Sequence, residues 1–213
     1  MAETGLCLDN LEIHHRDGRL LASVNTQVAP GAVVSLMGPS GVGKSTILSA
    51  VTGTLAADFT CNGDIVLNGR SLNGLSPQQR RVGILFQDHL LFPHLSVGQN
   101  IGFGLPSKAR NKPAKIEKAL TEIGLDGFAN RDPDTLSGGQ RARVALMRML
   151  LAEPEAILLD EPFSRLDATL RDRMRNLVFE RARSANLPVL MVTHDKADAD
   201  AAGGAVIELG VPE

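Results

Sequence analysis

The 213-residue sequence has no tryptophan and no tyrosine, and seven phenylalanines make up all of its 3 % aromatic content. A site that stacks on a flat heterocycle must therefore use phenylalanine, histidine or arginine. Cysteine is also scarce. Cys7 and Cys61 stand far apart, and neither belongs to a CxxC pair or a Cys/His cluster. That excludes a thiolate zinc site and leaves two reduced thiols as the expectation, in keeping with a cytosolic protein. No apolar run approaches the roughly 20 residues that a spanning helix needs. The first ten residues lack the basic start and apolar stretch of a signal peptide. Any role at a membrane is thus expected to work through a partner chain. Positive charge is not in excess: 22 Lys and Arg against 24 Asp and Glu leave a net charge of -2. That balance speaks against nucleic-acid binding and against adsorption to an anionic membrane. Internal repeats and low-complexity segments are missing as well.

What is present suits an ordinary folded domain, with 43 % apolar and 22 % charged residues. The start of the chain reads as β-rich. Leu6–Leu8, Leu11–Ile13 and Val24–Val28 are short apolar or alternating runs, separated by Asp17-Gly18 and Pro30-Gly31 turns. Val33–Met37 reads as a buried strand and Lys44–Thr52 as the helix after it. Gly63–Leu67 and Val82–Phe86 are further strands. From Ser96 to Asp134 the composition turns to Gly, Pro, Lys and Asn. The one clear helix there is Ala114–Ile123, with Ile116, Leu120 and Ile123 on one face. This segment is expected to form a mostly helical lobe. Helices at Gly138–Leu151, Ala168–Ala185 and Lys196–Ala202 then alternate with strands at Ala156–Leu159, Val189–Val192 and Ala205–Leu209. That alternation indicates an α/β core with a parallel sheet. The run Arg171–Arg175 reads as a solvated helix face. The chain stops at Glu213, just after the last strand, so no further domain is expected.

The strongest local signal is Gly38, Pro39, Ser40, Gly41, Val42, Gly43, Lys44, Ser45 and Thr46, which fits G-x-x-x-x-G-K-[ST]. The glycines let successive N–H groups turn inward. Those groups and the N-terminus of the following helix hold phosphate oxygens. Lys44 places a cation on the β- and γ-phosphates, and the Ser45 hydroxyl can ligate Mg²⁺. The loop lies between a predicted buried strand and a predicted helix, as this chemistry requires. A second signal is Asp160-Glu161 at the end of an apolar strand. An acid placed there is suited to hold Mg²⁺, directly or through a water, and Asp160 is that candidate. Glu161, pointing elsewhere, can polarise the attacking water.

Leu136-Ser-Gly-Gly-Gln140 narrows the field, because it resembles the signature motif of ABC ATPases. The other elements stand in that family's order: the phosphate loop, Gln87 after a strand, the signature, Asp160-Glu161, Ser164-Arg-Leu-Asp167 and Val192-Thr-His194. The resemblance covers nearly the whole chain. Gly83–Phe92, Leu95–Ile101 and Glu161–Asp167 are similar to importer-type subunits, including those for thiamine, iron, polyamines and maltose. Ser137–Leu146 and Asp160–Asp167 resemble the bacterial Ynj-type ATPase subunit. The resemblance implies an α/β fold made of a P-loop NTPase core with a mainly parallel sheet, an N-terminal antiparallel β subdomain and an inserted helical lobe. It also implies a single ABC ATPase domain over 1–213, with the lobe at about 96–150.

The resemblance further implies a mechanism. Two copies would pair head to tail around two ATP molecules. Ser137, Gly138, Gly139 and Gln140 of one copy would complete the γ-phosphate site of the other, and Asp167 would act across the interface. Gln87 would contact Mg²⁺ or the attacking water, and His194 would hydrogen-bond the γ-phosphate. Ser137 is also expected to cap the helix that follows it. Leu90-Leu-Phe92 would dock a cytoplasmic helix of a separate transmembrane subunit, placing the chain on the inner face of the cell membrane. A periplasmic substrate-binding protein is expected in the system, and the cargo would be a small solute. An exporter or lipoprotein-release ATPase, or a soluble non-transport ABC ATPase, are the alternatives. Two features depart from the family's pattern. No tyrosine stands before the phosphate loop to stack on adenine, so His15 is expected to do so, with Arg16 as the alternative. No regulatory barrel follows the last strand, so regulation by such a domain is not expected.

Overall fold

A computed structural model describes residues 4–88, 90–164 and 166–210. His89 and Arg165, quoted above within two motifs, lie outside the described residues, as does the chain end at Glu213. The strands are β1 (Leu6–His15), β2 (Leu20–Val28), β3 (Val33–Met37), β4 (Phe59–Leu67), β5 (Arg70–Ser71), β6 (Val82–Leu85), β7 (Ala156–Asp160), β8 (Val189–Val192) and β9 (Ala205–Glu208). The helices are α1 (Lys44–Thr52), α2 (Pro77–Arg80), α3 (Val97–Gly104), α4 (Lys112–Glu122), α5 (Gly138–Leu150), α6 (Ala168–Ser184) and α7 (Lys196–Ala202). They build the expected α/β fold. A four-stranded sheet has the order β2-β1-β4-β5, and a five-stranded sheet has the order β6-β7-β8-β3-β9. The β7–β8, β8–β3 and β3–β9 pairs are parallel, whereas β1 is antiparallel to β2 and β4.

The two apolar runs at the start of the chain belong to one strand. β1 carries a bulge between Leu8 and Leu11, where Asn10 takes a positive φ of 47°. The extra residue resets the alternation, so Leu6, Leu8, Leu11 and Ile13 all face the core and are fully buried. Gly63 on β4 matches the bulge: an added Cβ would lie 2.3 Å from the Asn10 carbonyl oxygen. β4 itself begins earlier than the sequence suggests, at Phe59.

The described chain divides into two compact units. The first comprises the residues up to Ile84, Glu155–Glu161 and the residues from Arg175 onward; the second comprises Leu85–Pro154 and Pro162–Met174. In the first, one apolar core gathers Leu6, Leu8 and Leu11 of β1, Ile47, Leu48 and Val51 of α1, and Leu36, Leu158 and Leu190 of the parallel strands. Arg80 closes the C-terminal end of α1, donating from Nη1 to the carbonyls of Ala50 at 2.7 Å and Val51 at 2.9 Å. Burial pushes its guanidinium below its ordinary value.

The second unit packs α3 against α4 and α5. Helix α3 was not legible as a helix, because Gly98, Gly102 and Gly104 lower its intrinsic propensity. Packing is what requires them: a Cβ on Gly104 would lie 2.0 Å from the Arg148 carbonyl oxygen. The helix is started by a capping box in which Ser96 Oγ accepts from the Gln99 N–H and Gln99 Oε1 accepts from the Ser96 N–H. The Arg171–Arg175 run is also not a purely solvated face. Met174 is 2 % exposed and Arg175 only 8 %.

Candidate functional site

Three parallel strands, side by side in the order β7-β8-β3, run into the residues singled out in the sequence. Parallel neighbours end at the same edge of a sheet, and this carboxyl edge is where open α/β folds place ligands. β3 leads into the phosphate loop. Gly38 there has a φ of 145°, and a Cβ on it would come within 2.5 Å of the Leu209 carbonyl oxygen. Gly43 is left-handed and begins α1, to which no side-chain cap is supplied. The first N–H groups of α1 therefore keep their capacity for an anion. Lys44 curls back into the loop, its Nζ donating to the carbonyls of Gly38 and Pro39, each at 2.8 Å. It is 8 % exposed.

Ser45, one residue into α1, donates from Oγ to Asp160 Oδ1 at 3.1 Å. Asp160 closes β7, paired in register with Val192 of β8. Burial pushes its carboxyl above the ordinary value, and the Glu161 charge adds to this; the Ser45 hydrogen bond and the Lys44 charge oppose it. Glu161 leaves the strand with a φ of 47°, its N–H held by the Val192 carbonyl at 2.9 Å. A left-handed glutamate costs backbone energy and marks a position fixed by its surroundings. Its Oε1 lies 3.0 Å from His194 Nδ1, just past the end of β8. The Glu161 side chain is 21 % exposed and the imidazole 65 %.

A cleft of about 380 Å³ adjoins the same loop, lined by His15, Arg19, Leu20, Leu21, Ser40, Gly41 and Val42. His15 sits beside Phe59, ring centroids 5.1 Å apart and tilted by 50°. Arg16 does not line the cleft. Its Nε is spent on the Ala57 carbonyl and its N–H on that of Asp58. Arg19 stands there instead. The Asp17-Gly18 turn folds the chain back so that the His15 N–H donates to the Arg19 carbonyl at 2.9 Å. Sequence reasoning recognised the turn but not its consequence.

In the second unit, Gln87 is exposed just after β6. Ser137 caps α5 in a capping box with Gln140: Ser137 Oγ accepts from the Gln140 N–H at 3.3 Å, and Gln140 Oε1 from the Ser137 N–H at 2.9 Å. A Cβ on Gly138 would meet nothing within 4 Å, so internal packing does not demand glycine there. Arg143 steadies this helix start, donating to the Gly139 carbonyl at 3.4 Å and the Ile123 carbonyl at 2.5 Å. Asp167 caps α6, its Oδ1 accepting from the Leu170 N–H at 3.0 Å.

A family model described as "ABC transporter" matches residues 21–164. The chain belongs to the ABC transporter family. As an ABC ATPase it is 50 % identical over 198 residues to the ABC transporter ATP-binding protein YnjD of Escherichia coli K12, covering 92 % of this chain and 91 % of that one. The thiamine import ATP-binding protein ThiQ of Vibrio vulnificus YJ016 is 43 % identical, with 89 % and 81 % covered. Among solved structures, the ATP-binding cassette MJ0796, in a dimeric post-hydrolysis state bound to ADP and Pi, aligns with a TM-score of 0.82 at 29 % identity. That alignment covers 98 % of this chain and 97 % of the cassette. Among the described residues of the ABC ATPase, no helix is long and apolar enough to cross a membrane.

The raised Asp160 carboxyl has a measurable consequence. The folded chain binds this proton more tightly than the unfolded chain. Ionisation at neutral pH therefore costs stability, and the cost fades as the pH falls through the raised folded value. Asp160→Asn keeps an oxygen for Ser45 and removes the charge. It is expected to melt above wild type at pH 7, measured without nucleotide or magnesium, with the gap narrowing toward the ordinary carboxylate value. An equal or lower Tm at pH 7 would contradict the assignment.

Proposed function

We propose that this ABC ATPase is the nucleotide-binding subunit of a membrane importer for a small solute, acting as a head-to-tail pair at the inner face of the cell membrane. The observation that carries the chemical part is the convergence of Lys44, the Ser45–Asp160 pair and the Glu161–His194 pair at the carboxyl edge of three adjacent parallel strands. The import part rests on similarity to a protein named for thiamine import.

In this reading the loop N–H groups and Lys44 hold the β- and γ-phosphates, and the adenine enters the cleft beside His15. Glu161 orients the attacking water toward the γ-phosphorus and accepts its proton. His194, anchored on Glu161, fixes that geometry and contacts the γ-phosphate. Ser45 and Asp160 present hard oxygens that suit Mg²⁺. Among the described residues no cluster of three His, Cys, Asp or Glu could hold a metal. The ion would therefore share its ligands with the nucleotide's phosphates and waters. When bound, Mg²⁺ neutralises charge that develops on the β- and γ-oxygens.

Ser137, Gly138, Gly139 and Gln140 of one copy would face the γ-phosphate of the other. The open space around Gly138 supports a close approach from outside the chain, and Asp167 would lie at the same junction. Docking to a transmembrane subunit falls to the segment after Gln87. Leu90 is 61 % and Phe103 66 % exposed. Phe92 lies between the Phe103 ring at 4.7 Å and the Arg148 guanidinium at 4.9 Å. The fully buried Asn100 holds this loop in shape, accepting from the Phe92 N–H and donating to the Phe92, Leu95 and Ser96 carbonyls.

The test is capture of tagged Glu161→Gln protein from solubilised native membranes with Mg-ATP. Recovery of a multi-spanning membrane protein together with a solute-binding protein is the expected result. A membrane partner whose reconstituted complex moves solute outward overturns import, and recovery of soluble partners alone overturns transport.

A further inference from the structure

Among the described residues, Asp198 is the only buried carboxylate, at 2 % exposure. It lies on α7, four positions after His194, and none of the chemistry above uses it. Its Oδ1 accepts from Arg175 Nε at 2.6 Å and also from Arg175 Nη2. Its Oδ2 accepts from the Thr193 hydroxyl at 3.3 Å. The Thr193 oxygen in turn accepts from the Asp195 N–H at 3.0 Å. Thr193 is itself 1 % exposed, and its N–H donates to the Leu36 carbonyl of β3 at 3.2 Å. Both chain neighbours of His194 are therefore tied, through one hydroxyl, to one buried carboxylate.

A buried ion pair is a poor way to gain stability, since apolar packing of the same volume often does as well or better. What apolar packing cannot supply is direction. A hydroxyl has one proton and two lone pairs. With its proton committed to Asp198 Oδ2, Thr193 must meet the Asp195 N–H with a lone pair. That fixes the backbone on either side of His194, and with it the direction of the Cα–Cβ bond from which the imidazole reaches Glu161. Arg175 occupies Oδ1 with two N–H donors, and Thr193 meets the other oxygen, Oδ2.

We propose that Asp198, held by Arg175, is a positioning residue that aims His194 at Glu161 through the Thr193 hydroxyl. The proposal rests on the role given above to His194, and its test separates the two. Thr193→Val keeps the shape and removes the hydroxyl; Thr193→Ser keeps the hydroxyl. For Thr193→Val we expect kcat for ATP hydrolysis to fall about tenfold with nucleotide Kd changed less than about twofold. Thr193→Ser should lie within about twofold of wild type. In a His194→Ala background, Thr193→Val should cause no further loss. The imidazole proton resonances of His194, assigned by comparison with His194→Ala, should move in Thr193→Val and return in Thr193→Ser. An unchanged kcat in Thr193→Val, or an equal loss in both backgrounds, overturns the proposal. If His194→Ala itself hydrolyses ATP normally, the catalytic role of His194 falls. The resonances then decide on the aiming alone: unmoved, they overturn it.

Discussion

Glu161→Gln is expected to hydrolyse ATP about 10²- to 10³-fold more slowly than wild type, while nucleotide affinity stays within about threefold. The substitution keeps size and shape, and the glutamine oxygen can still meet His194 where Oε1 does now, at 3.0 Å. What it removes is the negative charge and the basicity that draw a proton from water. The backbone makes the prediction specific. Glu161 is held at a φ of 47° by its N–H bond to Val192, a conformation whose cost depends little on whether the side chain ends in carboxylate or amide. The folded state should therefore survive, and the defect should lie in kcat. Phosphate release under saturating Mg-ATP and equilibrium binding of a nucleotide analogue measure the two parts. Persistence of an ATP-dependent dimer in size exclusion would show the trapped closed pair. Turnover near the wild-type rate removes Glu161 from the base role; loss of binding with loss of turnover makes the residue structural instead.

The sequence makes some of this site legible and hides the rest, for physical reasons. Gly38 to Thr46 are neighbours in the chain, and local backbone chemistry dictates both their shape and their task. The Asp160-Glu161 pair is legible because β7 is uninterrupted and fully buried up to Asp160. The Glu161–His194 contact is not, because it depends on β7 and β8 being adjacent, which is a property of strand order. The same holds for Asp198, which reads as an ordinary acid in a helix until Arg175 is found against it. The run of charges alone made Arg171–Arg175 look solvated, and tertiary packing buries Met174 and Arg175 within it.

Misread elements have equally local causes. The bulge at Asn10 broke an alternation that is continuous in space, so β1 looked like two short runs. Helix α3 carries glycines that packing against Arg148 and Ile116 demands, and composition counts them as breakers. His15 and Arg19 are brought together by the Asp17-Gly18 turn, and both line the cleft beside the phosphate loop. A pairwise reading across that turn would have found Arg19 before Arg16.

Lys44→Ala is expected to weaken ATP binding between about tenfold and 10²-fold and to abolish measurable turnover. The loss of a charge-assisted contact to phosphate sets that scale, at about 1.5–3 kcal/mol. The geometry explains why the lysine cannot be replaced from elsewhere in the loop. An ammonium has three donors, and two of them already reach the carbonyls of Gly38 and Pro39. Those carbonyls aim the cation and leave a third N–H for a phosphate oxygen. They also make the vacated site repulsive, because without Lys44 two carbonyl dipoles would face an anion. Lys44→Met fills the space without the charge and should bind ATP as weakly as Lys44→Ala, which separates electrostatics from packing. Titration with a fluorescent ATP analogue, with and without magnesium, gives the affinities, and phosphate release gives the rates. If Lys44→Met binds near wild type while Lys44→Ala does not, the lysine serves as a spacer and the phosphate charge is met by the helix N-terminus alone. If both variants hydrolyse ATP within about threefold of wild type, the loop is not the site of phosphoryl transfer.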